Sequence, residues 1–480
     1  MLLRTKIFSF IFLLSAFSYA QEEEASHSYQ LIEDKATLPI LTPALEERSI
    51  EKLLLHNGMH VYLISDPGVD QSAGGLAVEA GFWDDPKEYP GMAHFLEHML
   101  FMGTAAYPKE FEYMQFINDH GGKVNAFTSS DRTVYMFSVN NDAFAATMDR
   151  FAHFFIDPLL AMNYIERELH AVDQEHAKNI ENDGWREYMI FKEMGNQEHP
   201  NCSFSTGNAK TLSGIPQKAL KNWYENHYSA SRMHLVLISP LSLEDMRQMA
   251  LDCFSAVRSF PVKQRALPGS FTSAKQRGHM FFIQPVKEIK QLSLRWEIPQ
   301  AFASDINRQA PDLIAYALNK EGDNSLIQLL KKEQIIESLH VSYNRFNKEA
   351  MLFSIDMYLT ENGLLRIDDA VQAVFQSLER LRLEGYPRYL FDEIVSISTL
   401  NYQYQSRNDA FDTIMNIASQ MPYEDLATFP QKSYIPSQFD PKFLSKFLET
   451  LTPATCLYSV DANYFYQLPL LQRQRNDQKP

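Results

Sequence analysis

Cysteine is scarce in this chain. Three cysteines in 480 residues, Cys202, Cys253 and Cys456, form an odd set at wide spacing. That excludes a disulfide framework and a zinc ribbon, and reads as isolated buried thiols with room for one bridge at most. Positive charge is also short: 44 Lys and Arg stand against 60 Asp and Glu, a formal net charge of −16. Such a surface repels nucleic acid and anionic lipid, so neither is expected as a partner. Long hydrophobic runs are missing too. Only residues 7–17 approach one, and they fall short of the roughly 20 residues that a spanning helix needs.

That short run has its own meaning. It follows Arg4 and Lys6 and precedes Ser18-Tyr19-Ala20, the order of a secretory leader cut before Gln21. Residues 1–20 are therefore expected to be a signal peptide, leaving no stable membrane anchor. The expected location is across the cytoplasmic membrane, which in a Gram-negative bacterium means the periplasm.

Hydrophobic residues make up 45% of the chain and charged residues 22%, the balance of a globular protein with sizeable cores. Residues 21–45 are polar, with Glu22-Glu23-Glu24 and no clear period, and read as a tail. Strand and helix patterns then alternate. Residues 59–64, 74–80, 123–128, 133–139 and 234–238 read as strands. Residues 92–102, a stretch from 108 to 121, 142–155, 163–188 and 242–253 read as helices. Residues 258–273 carry Pro261, Pro268 and Gly269 and read as a linker. Beyond it come strands at 279–283, 291–298 and 351–357, with helices from 312, 325 and 367. No strict strand–helix–strand rhythm holds, so the expected class is α+β. The expected division is a first domain at 46–257, a second at 274–471 and a polar tail at 472–480.

The strongest chemical signal is His94-Phe95-Leu96-Glu97-His98. Helical positions i and i+4 share a face, so His94 and His98 can aim two imidazoles at one cation. Glu97 lies on the same side. This is the H-x-x-E-H order, and imidazole suits zinc. Two histidines need a third ligand. The acidic helix downstream offers Glu166, Glu168, Asp173, Glu175 and Glu181, and residue chemistry alone does not choose among them. Glu168 and Glu175 are two turns apart and share a face, so one can ligate while the other orients a ligand. The second half holds only His279 and His340 and cannot repeat the site.

The stretch from Gly91 to Thr104 closely resembles the active-site helix of the insulinase/pitrilysin family of zinc metallopeptidases. The resemblance continues at Tyr107-Pro108-Lys109-Glu110, at Asn125-Ala126-Phe127-Thr128-Ser129, at Asp149-Arg150-Phe151-Ala152, at Arg167-Glu168-Leu169 and at Ala171-Val172-Asp173-Gln174-Glu175-His176. It is weaker at Phe204-Ser205-Thr206-Gly207-Asn208, at Glu321-Gly322 and at 361–365. It implies two similar domains, each a mostly antiparallel sheet packed with helices, the second without metal. It implies one Zn2+ held by His94, His98 and Glu175, supported by Glu168, with Glu97 as general base. Asn125 and Ala126 would pair with the backbone of a peptide substrate by strand addition. The expected activity is zinc-dependent endopeptidase cleavage of peptides outside the cytoplasm. The alternative is a non-catalytic or weakly active peptide-binding or assembly subunit. Full-length family members have two such halves. The resemblance covers the first, so a separate subunit resembling the other half, or self-association, is expected.

Overall fold

In the computed structural model, residues 28–463 are described, apart from residue 264. The leader assigned to 1–20 and the tail assigned to 472–480 lie outside them. Among the described residues no helix is long and apolar enough to cross a membrane.

Two mixed sheets carry the α+β architecture. The first has strands β1 (Tyr29–Leu31), β2 (Ser49–Leu55), β3 (His60–Ser65), β4 (Gln71–Val78), β5 (Lys123–Thr128), β6 (Thr133–Asn140) and β7 (Met233–Ser239), in the order β1-β2-β3-β7-β4-β6-β5. All neighbours are antiparallel except β3 and β7. The second has β8 (Met280–Ile283), β9 (Lys290–Ile298), β10 (Ile336–Arg345), β11 (Met351–Leu359) and β12 (Leu457–Ala462), in the order β10-β11-β9-β12-β8. β8 and β12 are its parallel pair. The expected two antiparallel-rich sheets with helices are what the fold shows.

Helices of the first half are α1 (Met92–Leu100), α2 (Glu112–Asp119), α3 (Phe144–Ile156), α4 (Met162–Asn179), α5 (Asp183–Met194), α6 (Gln217–His227) and α7 (Leu243–Phe254). The chief helices of the second half are α8 (Ala310–Asn319), α9 (Leu326–Lys332), α10 (Ile367–Glu384), α11 (Arg388–Gln403), α12 (Ala410–Gln420) and α13 (Pro441–Leu448). The central strands of the first sheet are buried on both faces. Val61 and Leu63 of β3 and Leu235 and Leu237 of β7 face the core that holds α1 and α3. Tyr62, Ile64, Val236 and Ile238 face the opposite way, against Ile414 and Ala418 of α12. Strands buried on both faces read as continuous apolar runs rather than alternating ones. The close approach of α12 depends on Gly75, where a Cβ would stand 2.3 Å from Cγ2 of Ile414.

Three expectations are corrected here. The segment expected as one helix over 163–188 is two, α4 and α5. The break comes where the side chain of Asn182 accepts a bond from the Trp185 backbone N–H and caps α5, a role asparagine fills better than a helix interior. The tail expected over 21–45 supplies β1, with Tyr29 opposite Leu55 and Leu31 opposite Leu53. Residues 21–27 lie outside the described residues, and beyond β1 the segment lies along the second half through Lys35 N–H to Ala427 O and Leu41 N–H to Gln403 O. The stretch expected as a linker, 258–273, is part of a packed seam. Phe271 sits with Trp83, Phe346 and Leu352 in an apolar cluster, and Arg265 donates to the carbonyl of Trp83. In addition α12, within the span assigned to the second domain, packs against one face of the first sheet. Contacts between segments far apart in sequence leave no local period to read.

A pH dependence follows from the sheet. His60 of β3 stacks on His234 of β7 with ring centroids 5.1 Å apart. His234 Nε2 lies 2.8 Å from Glu79 Oε1, and Lys348 Nζ lies 3.5 Å from Glu79 Oε2. Burial first, then the charge of His234, pushes His60 from 6.5 down to about 4. The folded value is the lower one, so this contribution to stability is complete above pH 6.5 and is lost as pH falls toward 4. The slope is about 1.4 kcal/mol per pH unit. His60→Phe is therefore expected to flatten the acid-side fall in melting temperature. Equal slopes in parent and variant would assign that fall to other groups.

Candidate metal centre

Helix α1 is fixed at its start by a carboxylate from the preceding loop. Asp85 accepts from the backbone N–H of Gly91 through Oδ2 and of Ala93 through Oδ1, each at 2.8 Å. This satisfies two of the donors that every helix leaves free at its first turn. Gly91, at φ 93, has to be glycine. A Cβ there would meet the backbone of Gly207 at 2.4 Å. One face of α1 then enters the core with Phe95, Leu96 and Met99. The other presents His94 and His98, whose rings meet edge to face at 4.8 Å.

Helix α4 crosses α1 and brings two acids. Glu175 Oε2 lies 3.5 Å from His94 Nε2 and 3.6 Å from His98 Nε2. Glu168 Oε2 lies 3.6 Å from His98 Nδ1, on the other side of that ring. The Nδ1–H of His94 donates to the carbonyl of Thr206 at 2.7 Å, which leaves Nε2 as the free lone pair. The donor atoms of His94, His98 and Glu175 all lie within 4.8 Å of one another, the one such grouping of three among the described residues.

These separations fit an ion. Contacts of 3.5 to 3.6 Å are too long for hydrogen bonds. A tetrahedral zinc with bonds of about 2.0–2.2 Å sets its donors about 3.3–3.6 Å apart. Electrostatics agree. Burial alone would lower His98, but Glu168, Glu175 and Glu97 overcome it and hold the imidazolium up to about 9. The same carboxylates would attract a metal cation in the proton's place. Contact with His98 holds Glu175 below its ordinary range.

Glu97 stands apart from the three converging donors. It is 6% exposed, and burial raises its carboxyl. Its Oε2 accepts from the Thr128 hydroxyl at 2.6 Å. Thr128 ends β5, the outermost strand of the first sheet, whose far edge pairs with nothing among the described residues. A cavity of about 550 Å³ lies between that strand and the metal donors. Glu97, Asn125, Ala126, Thr128, Trp185 and Thr206 are among the residues that line it.

The seven residues to which the family resemblance gave roles all line this cavity: His94, Glu97, His98, Asn125, Ala126, Glu168 and Glu175; the other acids offered as third ligand, Glu166, Asp173 and Glu181, are not among its lining residues. Of the other acids on α4, Asp173 instead accepts from the Ala209 N–H. Thr128, Trp185, the Thr206 carbonyl and Asp85 were not singled out. A backbone carbonyl carries no residue signal, and an aspartate seven positions before a helix has no local pattern to betray it.

Two imidazoles and one carboxylate around a gap open to a cavity form a donor set that could hold a single metal ion. Comparison with known proteins places it further. Residues 60–198 match the family described as Insulinase (Peptidase family M16), and residues 214–398 the one described as Peptidase M16 inactive domain. The insulin-degrading enzyme of Mus musculus is 33% identical over 444 residues, 91% of this chain and 43% of that protein. The crystal structure of pitrilysin superimposes with a TM-score of 0.86 at 28% identity, over 94% of this chain and 50% of that one. The first half of the periplasmic protease PqqL from Escherichia coli shares the fold, with a TM-score of 0.68 at 15% identity. The chain belongs to the insulinase/pitrilysin family of peptidases. It spans less than half the length of the curated relatives it matches.

Proposed function

We propose that the chain is a zinc metalloendopeptidase acting on peptides outside the cytoplasm. The observation that carries this reading is the separation of roles in one cavity: three donors converge, while a fourth, buried carboxylate stands beside them without joining. A metal store or a scaffold has no use for Glu97 in that position.

The ion would be held by His94, His98 and Glu175, and when bound it supplies Lewis acidity toward a carbonyl and toward water. The remaining work falls to side chains of the cavity. Glu97 accepts a proton from the attacking water and later delivers it to the leaving amine. The Thr128 hydroxyl occupies Oε2 of Glu97 and so leaves Oε1 for that exchange. Burial of Glu97 raises its basicity. Asn125 and Ala126, on the unpaired side of β5, bind the backbone of an extended peptide as an added strand. Glu168 and the Thr206 carbonyl orient the two imidazoles.

The relatives carry a further half that this sequence does not span. We infer that a half of that kind closes over the cavity, whether it is joined to these residues, comes from a separate chain or comes from a second copy. The leader pattern of residues 1–20 supports a location outside the cytoplasm.

The deciding experiment is metal analysis of the purified chain, with a mixed peptide library assayed before and after chelation. One zinc per chain is expected, with hydrolysis that stops on chelation and returns with zinc. A chain that retains no zinc, or that cleaves equally after chelation, overturns the reading. Cleavage that appears only with a co-purified protein assigns the covering half to a partner.

A further inference from the structure

The turn Ser129–Arg132 joins β5 to β6 and stands at the meeting of the two halves. On its cavity side it continues into Thr128, which bonds Glu97. On its inner side it holds the segment that leads to α1. Phe82 N–H donates to Ser129 O at 3.0 Å and Trp83 N–H to Ser130 O at 2.9 Å. Gly81 permits this contact, since a Cβ there would lie 2.3 Å from Ser129 O. Two residues beyond Trp83, Asp85 binds the first turn of α1. One turn thus touches the supports of both the general base and the metal helix.

Its third side is gripped by the second half. The Ser130 hydroxyl donates to the carbonyl of Phe346, and Arg132 Nη1 donates to the carbonyl of Ser419 in α12. The Arg132 guanidinium lies 3.9 Å from the ring centroid of Tyr423, and the Arg345 guanidinium lies 5.2 Å from the same ring. Trp83 stacks on Phe346 with centroids 5.9 Å apart. Arg132 is 5% exposed and its Nε also bonds Asp131, so the grip is internal to the molecule.

We propose that the metal-free half acts on catalysis through this turn, with Arg132 and Tyr423 as positioning residues for Glu97 and for α1. The inference rests on the peptidase reading above. Neither residue touches the metal donors. Loosening the grip is expected to shift Thr128 and Glu97 without removing a ligand. Displacement of about 1 Å at a reacting group can cost on the order of 100-fold in rate.

The test compares the parent chain with Tyr423→Leu, Arg132→Met and Arg132→Lys. Zinc content, melting temperature, kcat, KM and amide hydrogen exchange are measured on each. Tyr423→Leu and Arg132→Met are expected to lose about tenfold or more in kcat, with KM and zinc content unchanged. Arg132→Lys, which keeps a cation over the ring and a donor to Ser419 O, recovers most of the loss. Exchange should quicken in β5 and in the first turn of α1 and stay unchanged in β9 and β11. Should Arg132→Met fail to fold, Tyr423→Leu carries the comparison. Unchanged kcat and exchange overturn the proposal. So does a loss of kcat that tracks melting temperature and zinc content, which marks a merely structural role. If the parent chain cleaves no peptide, the peptidase reading falls by itself and the exchange pattern alone decides whether the turn couples the halves.

Discussion

A Glu97→Gln chain is expected to hold one zinc as tightly as the parent and to hydrolyse peptides about 10²- to 10⁴-fold more slowly. The substitution keeps size and keeps an acceptor for the Thr128 hydroxyl, which bonds Oε2 at 2.6 Å. It removes the one property the mechanism needs, a site that takes up and returns a proton. The three converging donors do not include Glu97, so zinc content serves as an internal control. Buried and desolvated, Glu97 is uncharged more readily than an exposed glutamate. The neutral amide therefore costs little in stability, and melting temperature should barely move. Two results would remove Glu97 from the base role: a Gln variant within a few-fold of parent turnover, or a Gln variant that has lost its metal. The second would make Glu97 a ligand. Peptide hydrolysis and metal analysis on the same preparation separate these outcomes.

The part of this site that sequence could reveal is the part carried by local geometry. His94, Glu97 and His98 lie within five residues, so helical spacing alone puts them on one side of α1. Glu168 and Glu175 follow the same rule on α4. What spacing cannot supply is the meeting of α1 with α4, about seventy residues apart along the chain. Only the resemblance to a known family singled out Glu175 from five acids. Thr128 and the Thr206 carbonyl were invisible because each acts through a tertiary contact, one by a hydroxyl and one by the backbone. The same division runs through the fold. Strands β5 and β6 matched their expected spans to within a residue, since apolar alternation ends at the polar turn between them. Strands β1, β2, β10 and β12 were not expected, and α12 lies across the first sheet from the far end of the chain. Asn182 shows a third kind of miss. Its neighbours continue an acidic helical pattern, yet its side chain caps a new helix and turns the cavity-lining Trp185 onto a separate element.

The two acids of α4 give the sharpest division of labour. Glu175→Gln should abolish tight zinc binding, while Glu168→Gln should weaken it about 10- to 100-fold and leave the stoichiometry at one. The argument is positional. Glu175 Oε2 faces the Nε2 atoms of both histidines at 3.5 and 3.6 Å, the spacing that a shared ion imposes. Glu168 Oε2 faces Nδ1 of His98 at 3.6 Å, behind the ring rather than in front of it. It is also tied by Arg167, whose Nη2 lies 3.3 Å from Glu168 Oε1. Losing Glu175 removes a charged donor and leaves two imidazoles, too few for a retained zinc. Losing Glu168 leaves all three donors but frees His98 to rotate, so affinity falls through orientation rather than through donor count. Competition against a chelator of known affinity reads both variants on one scale. Equal losses from the two substitutions would mean that both carboxylates approach the ion. A larger loss from Glu168→Gln would exchange their roles, and with them the face of His98 on which the ion sits.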